Sequence, residues 1–167
     1  MAWYVLLIGV IASERMQELV VSQRNRTWSL AHGGTEFGSR HYPAMVALHT
    51  GLLAGCLVEA HWRPFIPALG WPMLAIVVFA QALRWWCITT LGRQWNTRVI
   101  VVSGARRVTN GPYSLVPHPN YVAVVAEGVA LPLVHTAWIT ALIFTVLNAT
   151  LLRTRINVEN AALASLT

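Results

Sequence analysis

Long apolar runs broken by short polar interruptions organise this chain. Five of them are candidates to cross a bilayer: residues 2–21, 42–60, 66–91, 119–133 and 137–152. A span needs about 20 helical residues, rising about 1.5 Å each, to traverse a hydrocarbon core of about 30 Å. The second half of the first run is amphipathic, carrying Glu14, Arg15 and Glu18; the second run is cleaner and the third is the longest. The fourth and fifth are short, with only Val134, His135 and Thr136 between them, which predicts a tight helical hairpin. Between the third and fourth runs lies a polar stretch, residues 92–118. Within it, residues 97–102 and 107–109 are rich in β-branched side chains and flank Ser103-Gly104, so the pattern predicts a small hairpin. Asn110-Gly111-Pro112 then signals a turn. A loop this long is either functional or disordered, and its Trp, Tyr and five Val residues argue for order.

Composition turns this pattern into a class. The 167 residues are 56% hydrophobic and 11% charged, with a mean hydropathy of +0.53, against about 25% charged residues in an average soluble domain. That excludes a freely soluble globule, and the wealth of Leu, Val, Ile and Trp excludes a disordered chain. The reading is an all-α integral membrane protein with about five transmembrane helices and no internal repeat. It forms a single domain over residues 1–167, with the first three spans in 1–91 and the loop, last two spans and a tail helix in 92–167. Every cation is Arg and every anion is Glu, for a net charge of +6. A pI near 10.4 would suggest nucleic acid in a soluble protein, but no basic stripe with interleaved aromatics is present, so nucleic acid is not an expected partner.

The positive-inside bias explains the excess of Arg better. With a cytoplasmic C-terminus, five crossings put the N-terminus outside a multi-pass protein of the cell membrane. Arg24, Arg26, Arg40, Arg93, Arg98, Arg106, Arg107, Arg153 and Arg155 then fall inside. Arg15 and Arg84 lie toward the inner ends of their helices, and only Arg63 falls outside. Cys56 and Cys87 sit in apolar segments without a CxxC or His-Cys pattern and read as packing residues, so neither a disulfide nor a metal site is expected. The first residues lack a basic n-region and a small-residue cleavage pattern, and read as a span rather than a signal peptide.

Three constellations carry candidate chemistry. In Val116-Pro117-His118-Pro119-Asn120-Tyr121, the two prolines push Val116 and His118 into extended backbone, and Pro119 suits the first residue of a helix. Free amides and the positive dipole end would lie there, flanked by His118 and Tyr121 and suited to a carboxylate or phosphate; the plainer reading is a boundary between two elements. The tail places Ile156, Glu159 and Leu163 along one helix face, with Arg155 and Glu159 at i, i+4. Arg before Glu is the less favourable order, worth at most a few tenths of a kcal/mol, so local stability gives little reason for the pair; a solvated helix is the alternative. Finally, Glu127, His49, Glu59, Gln81, Arg84 and Asn148 fall inside spans. An ionisable group there costs about 2.5–3.5 kcal/mol on insertion scales and normally faces the bundle interior. Glu127 is the strongest case, as an interhelical anchor or as a catalytic or substrate-facing group.

Four motifs in order, Leu91-Gly92-x-x-Trp95, Val108-Thr109-x-Gly111-Pro112-Tyr113, His118-Pro119-Asn120-Tyr121 and Arg155-Ile156-x-x-Glu159, resemble the isoprenylcysteine carboxyl methyltransferase family over about the C-terminal half. The N-terminal half, with Glu14-Arg15 through Glu18-Leu19, is closer to bacterial members of that superfamily. Some of these are associated with methylating polyketide lipids such as alkylpyrones or alkylresorcinols. The resemblance implies a helical membrane enzyme that takes S-adenosylmethionine from the cytosol and a lipophilic acceptor from the bilayer, with membrane lipids as its surroundings and no obligate protein partner. It implies a cofactor pocket at Tyr113, Leu115, Val116, His118, Asn120, Tyr121, Glu159 and Asn160. Three departures stand out: Pro117 occupies the place of the family's signature Arg, Asn160 that of a second Glu, and Asn96-Thr97 that of a Thr-His.

Methyl transfer from a sulfonium is an in-line displacement, so the protein has mainly to position, desolvate and stabilise charge. Tyr113 or Tyr121 suits the sulfonium through cation–π attraction, worth ~1–2 kcal/mol. A carboxylate acceptor welcomes a cation, Arg98 or Arg155; a phenol or enol acceptor wants a base, Glu127 or His118. The catalytic candidates are therefore Arg98, Glu127 and Arg155. A phospholipid or amine methyltransferase, an NADPH-dependent membrane reductase of related fold and a non-catalytic scaffold are the competing classes.

Overall fold

The structure is a computed structural model that describes residues 1–106 and 108–164, with only the backbone of Arg40 and Leu163. Arg107, and the side chains of Arg40 and Leu163 used in the charge and tail-face arguments, lie outside it. Among the described residues are five α-helices and one pair of strands. The helices are α1 (Ala2–Ala31), α2 (Tyr42–Ala60), α3 (Pro67–Leu91), α4 (Pro119–Leu133) and α5 (Trp138–Ala164). Three helical stretches, Tyr42–Ala60, Pro67–Gln94 and Trp138–Ala162, are individually long and apolar enough to cross a membrane. The chain is thus an all-α membrane protein. Its outer surface is apolar where a soluble protein's would be polar, with Val78, Phe79, Leu142 and Val146 all pointing outward.

Two helix ends differ from expectation for one reason. The first helix does not stop at residue 21 but continues to Ala31, and the fifth does not end at residue 152 but runs on through the tail to Ala164. Both extensions are polar, yet neither contains Gly or Pro, so loss of hydrophobicity alone does not break the helix. The first helix ends only at His32-Gly33-Gly34, where Gly33 takes a positive φ of 80°. Gly34 then passes so close to the helix end that a Cβ would lie 2.6 Å from the Ser29 carbonyl oxygen.

The hairpin expected from residues 97–102 and 107–109 does not form. Instead β1 (Gly34–Phe37) pairs antiparallel with β2 (Val99–Val102), Gly34 opposite Val102 and Phe37 opposite Val99. The chain does turn at Ser103-Gly104, with the Ala105 amide bonded to the Val102 carbonyl at 3.1 Å, but the strand finds its partner after α1. That pairing ties the extended end of α1 to the long loop.

Helix α4 packs against both α3 and α5, and α2 packs against α5. The buried core contains Tyr4, Ile8, Leu52, Cys56, Val77, Leu131 and Phe144, and the Tyr4 hydroxyl donates to the Leu131 carbonyl at 2.8 Å. Cys56 and Cys87 are buried free thiols. The tight connection between α4 and α5 forms as predicted, with Thr136 at φ 56° and its hydroxyl donating to the Pro64 carbonyl at 2.6 Å. Glu59 caps α5, accepting from the amides of Ile139 (3.1 Å) and Thr140 (2.8 Å) and from the Thr140 hydroxyl (2.9 Å). This intramembrane candidate is therefore a helix cap that joins α2 to α5.

Candidate functional site

The C-terminal ends of α1, α3 and α5, the N-terminal ends of α2 and α4, and the sheet converge at one end of the bundle. The extension of α1 holds the long loop there. Ser22 shares a 2.7 Å hydrogen bond with the Thr97 hydroxyl and accepts the Thr97 amide at 3.0 Å. Asn25 donates to the carbonyls of Trp95 (2.7 Å) and Gly92 (2.9 Å). Glu36 accepts from Arg98 at 2.6 Å and from Arg26 at 3.1 Å, and the Arg98 guanidinium lies 3.9 Å from the Tyr42 ring centre. Burial by itself would raise the Glu36 carboxyl, but the two guanidiniums outweigh it and hold the group below the usual carboxylate range.

Across from this frame, α4 begins at Pro119. The amides of Tyr121 and Val122 donate to the His118 carbonyl at 3.1 and 3.4 Å, so two of the first-turn amides proposed for an anion already have partners. The Tyr121 hydroxyl donates to Glu159 and accepts from Arg155 Nε at 3.0 Å. His118 stacks on the Tyr121 ring at 5.3 Å, with its Nδ1 3.8 Å from Glu159 Oε1. Arg155 also reaches the Met45 sulfur. The tail is thus not a solvated helix: its Arg155 and Glu159 are docked onto the Pro-His-Pro segment.

Two cavities open around these side chains. A groove of about 540 Å³ is lined by Tyr113, His118, Asn120, Tyr121, Glu159 and Asn160, with Arg98 at its β2 side. An inner cavity of about 270 Å³ runs among the helices. Trp95, Asn96, Asn120, Tyr121 and Arg155 line both. At this shared wall Trp95 Nε1, Asn96 Oδ1 and Nδ2, and Asn120 Oδ1 are buried without a hydrogen-bond partner. Buried polar groups are normally satisfied, so the wall is set for a polar ligand. Tyr113 contributes a neutral phenol, since burial and the adjacent Cys87 push its ionisation above the usual range.

Of the sequence candidates, Leu115 and Val116 are not brought to the site. Leu115 is 73% exposed, neither residue lines either cavity, and both amides turn back to the Pro112 carbonyl. Arg98 lines the groove with its charge already paired to Glu36. Glu127 lies away from the groove, on the inner cavity, in a buried network with Arg15, Arg84, Glu18 and Gln81. Sequence reasoning passed over Trp95 and Asn96 as site residues, although they fall in the first motif, and over Glu36, whose role depends on the long-range strand pairing. His41, Tyr42 and Met45 of the inner cavity carried no local signal. Among the described residues no group of three or more His, Cys, Asp or Glu side chains is placed to hold a metal.

The sequence profile of the isoprenylcysteine carboxyl methyltransferase family matches residues 73–165. The chain is 35% identical over 159 residues to the uncharacterized protein YpbQ of Bacillus subtilis, covering 95% of each chain. It is 24% identical over 163 residues to an uncharacterized protein of Haemophilus influenzae, covering 96% of this chain and 95% of that one. No solved structure gives a significant match.

Proposed function

The chain belongs to the isoprenylcysteine carboxyl methyltransferase family, and from that premise of a membrane methyltransferase we propose that it moves a methyl group from S-adenosylmethionine to an oxygen of a lipid-tailed acceptor. The observation that carries this reading is the wall shared by two cavities. One cavity is a groove at the loop end and the other runs among apolar helices, and they meet at Trp95, Asn96, Asn120, Tyr121 and Arg155. A water-soluble donor and a bilayer-borne acceptor would approach that wall from opposite sides.

The groove fits S-adenosylmethionine on its own terms. The unpartnered atoms of Trp95, Asn96 and Asn120 offer both donors and acceptors to purine and ribose. Glu159 suits an ammonium group or ribose hydroxyls, and the ring faces of Tyr113 and Tyr121 suit a sulfonium. When bound, the cofactor supplies an electrophilic methyl group. The protein's own residues then do the rest: the helices exclude water from the inner cavity, and Arg155 and Asn96 orient the acceptor oxygen at the wall.

The acceptor class favoured is a phenol or enol. The family's signature Arg is Pro117 here and Arg98 is paired with Glu36, so of the candidate cations only Arg155 remains at the wall to meet a carboxylate. Such an acceptor must lose a proton as its oxygen gains the methyl group. His118, stacked on the wall residue Tyr121 with its Nδ1 3.8 Å from Glu159, is the base proposed to receive it from the groove side of the wall. Glu127, held between two guanidiniums, is assigned to the inner cavity and not to proton transfer. The loop end faces the cytosol in this reading. Arg24, Arg26, Arg93, Arg98, Arg106, Arg153 and Arg155 belong to that end, while Arg63 follows α2 at the other.

Calorimetry on the purified protein in detergent tests the class. S-adenosylmethionine should bind and NADPH should not, and His118→Ala and Glu159→Ala should abolish binding. Binding of NADPH alone would make the protein a reductase, and retention of cofactor by both variants would remove the site assignment. Lipid extracts of cells with and without the protein should differ by a species heavier by one methyl group.

A further inference from the structure

The inner cavity ends on a polar floor formed by Arg15, Glu18, Arg84 and Glu127, with His49 and Asn148 beside them. Glu127 lies six residues beyond Tyr121 on α4, and Asn148 seven before Arg155 on α5. At about 1.5 Å per residue the floor is about 10 Å deeper than the shared wall. Apolar Val124, Leu151 and Leu152 line the space between. A simple alkyl tail has no use for four charged side chains at that depth, where charge is expensive and concentrates at functional positions.

Nor does helix packing account for all of the network. Arg15 donates to Glu18 at 2.6 Å, to Gln81 at 2.8 Å and to Glu127 at 3.3 Å, and Arg84 donates to Glu127. A purely structural cluster would close on itself, but this one does not. Arg84 Nε and Glu18 Oε1 face each other at 3.7 Å, beyond hydrogen-bond reach. Neither atom has a hydrogen-bond partner, nor does Arg15 Nε, although Arg84 and Glu18 are each only 4% exposed. A donor and an acceptor that lie side by side without partners match a group that accepts and donates at once, and the simplest uncharged group of that kind on a lipid chain is a hydroxyl. Two Arg and two Glu in the floor leave no net charge to attract an anion or a cation.

We infer that this floor is a second recognition point for the acceptor, taking an uncharged hydroxyl carried about 10 Å from the oxygen that is methylated. The inference rests on the reading of the inner cavity as the acceptor's chamber. It makes Arg84 and Glu18 specificity-determining residues, and it defines the acceptor as a lipid with two separated oxygen functions.

The test uses the wild-type protein in lipid nanodiscs and three synthetic phenols: a 4-alkylphenol, the same compound with a chain hydroxyl about 10 Å from the phenolic oxygen, and an isomer with that hydroxyl on the carbon attached to the ring, well short of that distance. Affinity is read by calorimetry and methylation is read separately with S-adenosylmethionine present. The distal hydroxyl should tighten binding about tenfold over the parent, as a hydrogen bond to charged partners does. It should lower KM by a similar factor at unchanged kcat, and the proximal isomer should show no gain. Equal affinities, or a gain independent of position, overturn the floor as a recognition point. Methylation of none of the three, with the distal preference intact, overturns the phenol-transfer reading and leaves the floor's specificity standing.

Discussion

The Tyr121 hydroxyl donates to the Glu159 carboxylate, and that one bond fastens the first turn of α4 to the far end of α5. The same oxygen accepts from Arg155 Nε at 3.0 Å, so Tyr121 fixes both polar residues of the tail motif. Replacing Tyr121 with Phe keeps the ring that stacks on His118 and removes both of these bonds. Such charge-assisted bonds are worth about 1.5–3 kcal/mol, so calorimetry should find S-adenosylmethionine affinity lowered at least about tenfold. Circular dichroism should show the helix content unchanged.

Glu36 gives the loop frame a pH dependence of defined sign. Its carboxyl is pushed up by burial and more strongly held down by Arg98 and Arg26. A carboxylate with a depressed folded-state value stabilises the fold above its unfolded value of about 4.3 and loses that contribution as pH falls through the folded value. Thermal unfolding of the wild type and Glu36→Gln should therefore differ by a constant Tm gap near neutrality. The gap should close below about pH 4. A gap that persists in acid would show that the two arginines act on something other than the charged carboxylate.

In the buried network, removing one charge differs from removing a pair. Arg84→Met leaves Glu127 and Glu18 inside the bundle with Arg15 as their remaining cation. Breaking a buried pair this way costs about 3–5 kcal/mol, whereas exchanging both partners for apolar groups of similar volume is often neutral. The single variant should melt well below the wild type in detergent. Arg84→Met combined with Glu127→Met should recover much of the loss.

Gly128 makes a steric prediction independent of charge. It is buried on α4, and a Cβ there would overlap the Phe144 ring of α5. Phe144 is itself buried and packs edge-on against His49 at 5.3 Å, so its ring has little room to yield. Gly128→Ala should destabilise the protein by about 1–3 kcal/mol, read as a lower Tm, despite Ala being the better helix former.

How far the sequence disclosed this arrangement depended on the range of the forces involved. Apolar runs located α2, α3 and α4 to within a residue, because apolar composition is written position by position. The hydrophobic signal ended too early for α1 and α5, whose polar extensions persist for want of a helix breaker. Pairing of Val99–Val102 with Gly34–Phe37 could not be read locally: two strands of four residues, far apart in the chain, carry no shared pattern. The motifs around His118 and Glu159 were legible as separate pieces, while their meeting through Tyr121 is a tertiary fact. Glu127 stood out as a charge in a span, but its partner Arg15 lies on a helix whose charges looked like an amphipathic face.

The uninterrupted course of α5 has a mechanical consequence. Its 27 residues make a rod of about 40 Å, longer than the hydrocarbon core by about 10 Å, with Arg155 near the core's edge and Glu159 beyond it. With no hinge between Phe144 in the core and Glu159 at the groove, the wall shared by the two cavities sits at a set altitude relative to the bilayer midplane. In the proposed reaction, lipids must present their nucleophile at that altitude, so membrane thickness becomes a selector of substrate. The same acceptor should react at different rates in thin and thick bilayers even when its affinity for the protein is unchanged.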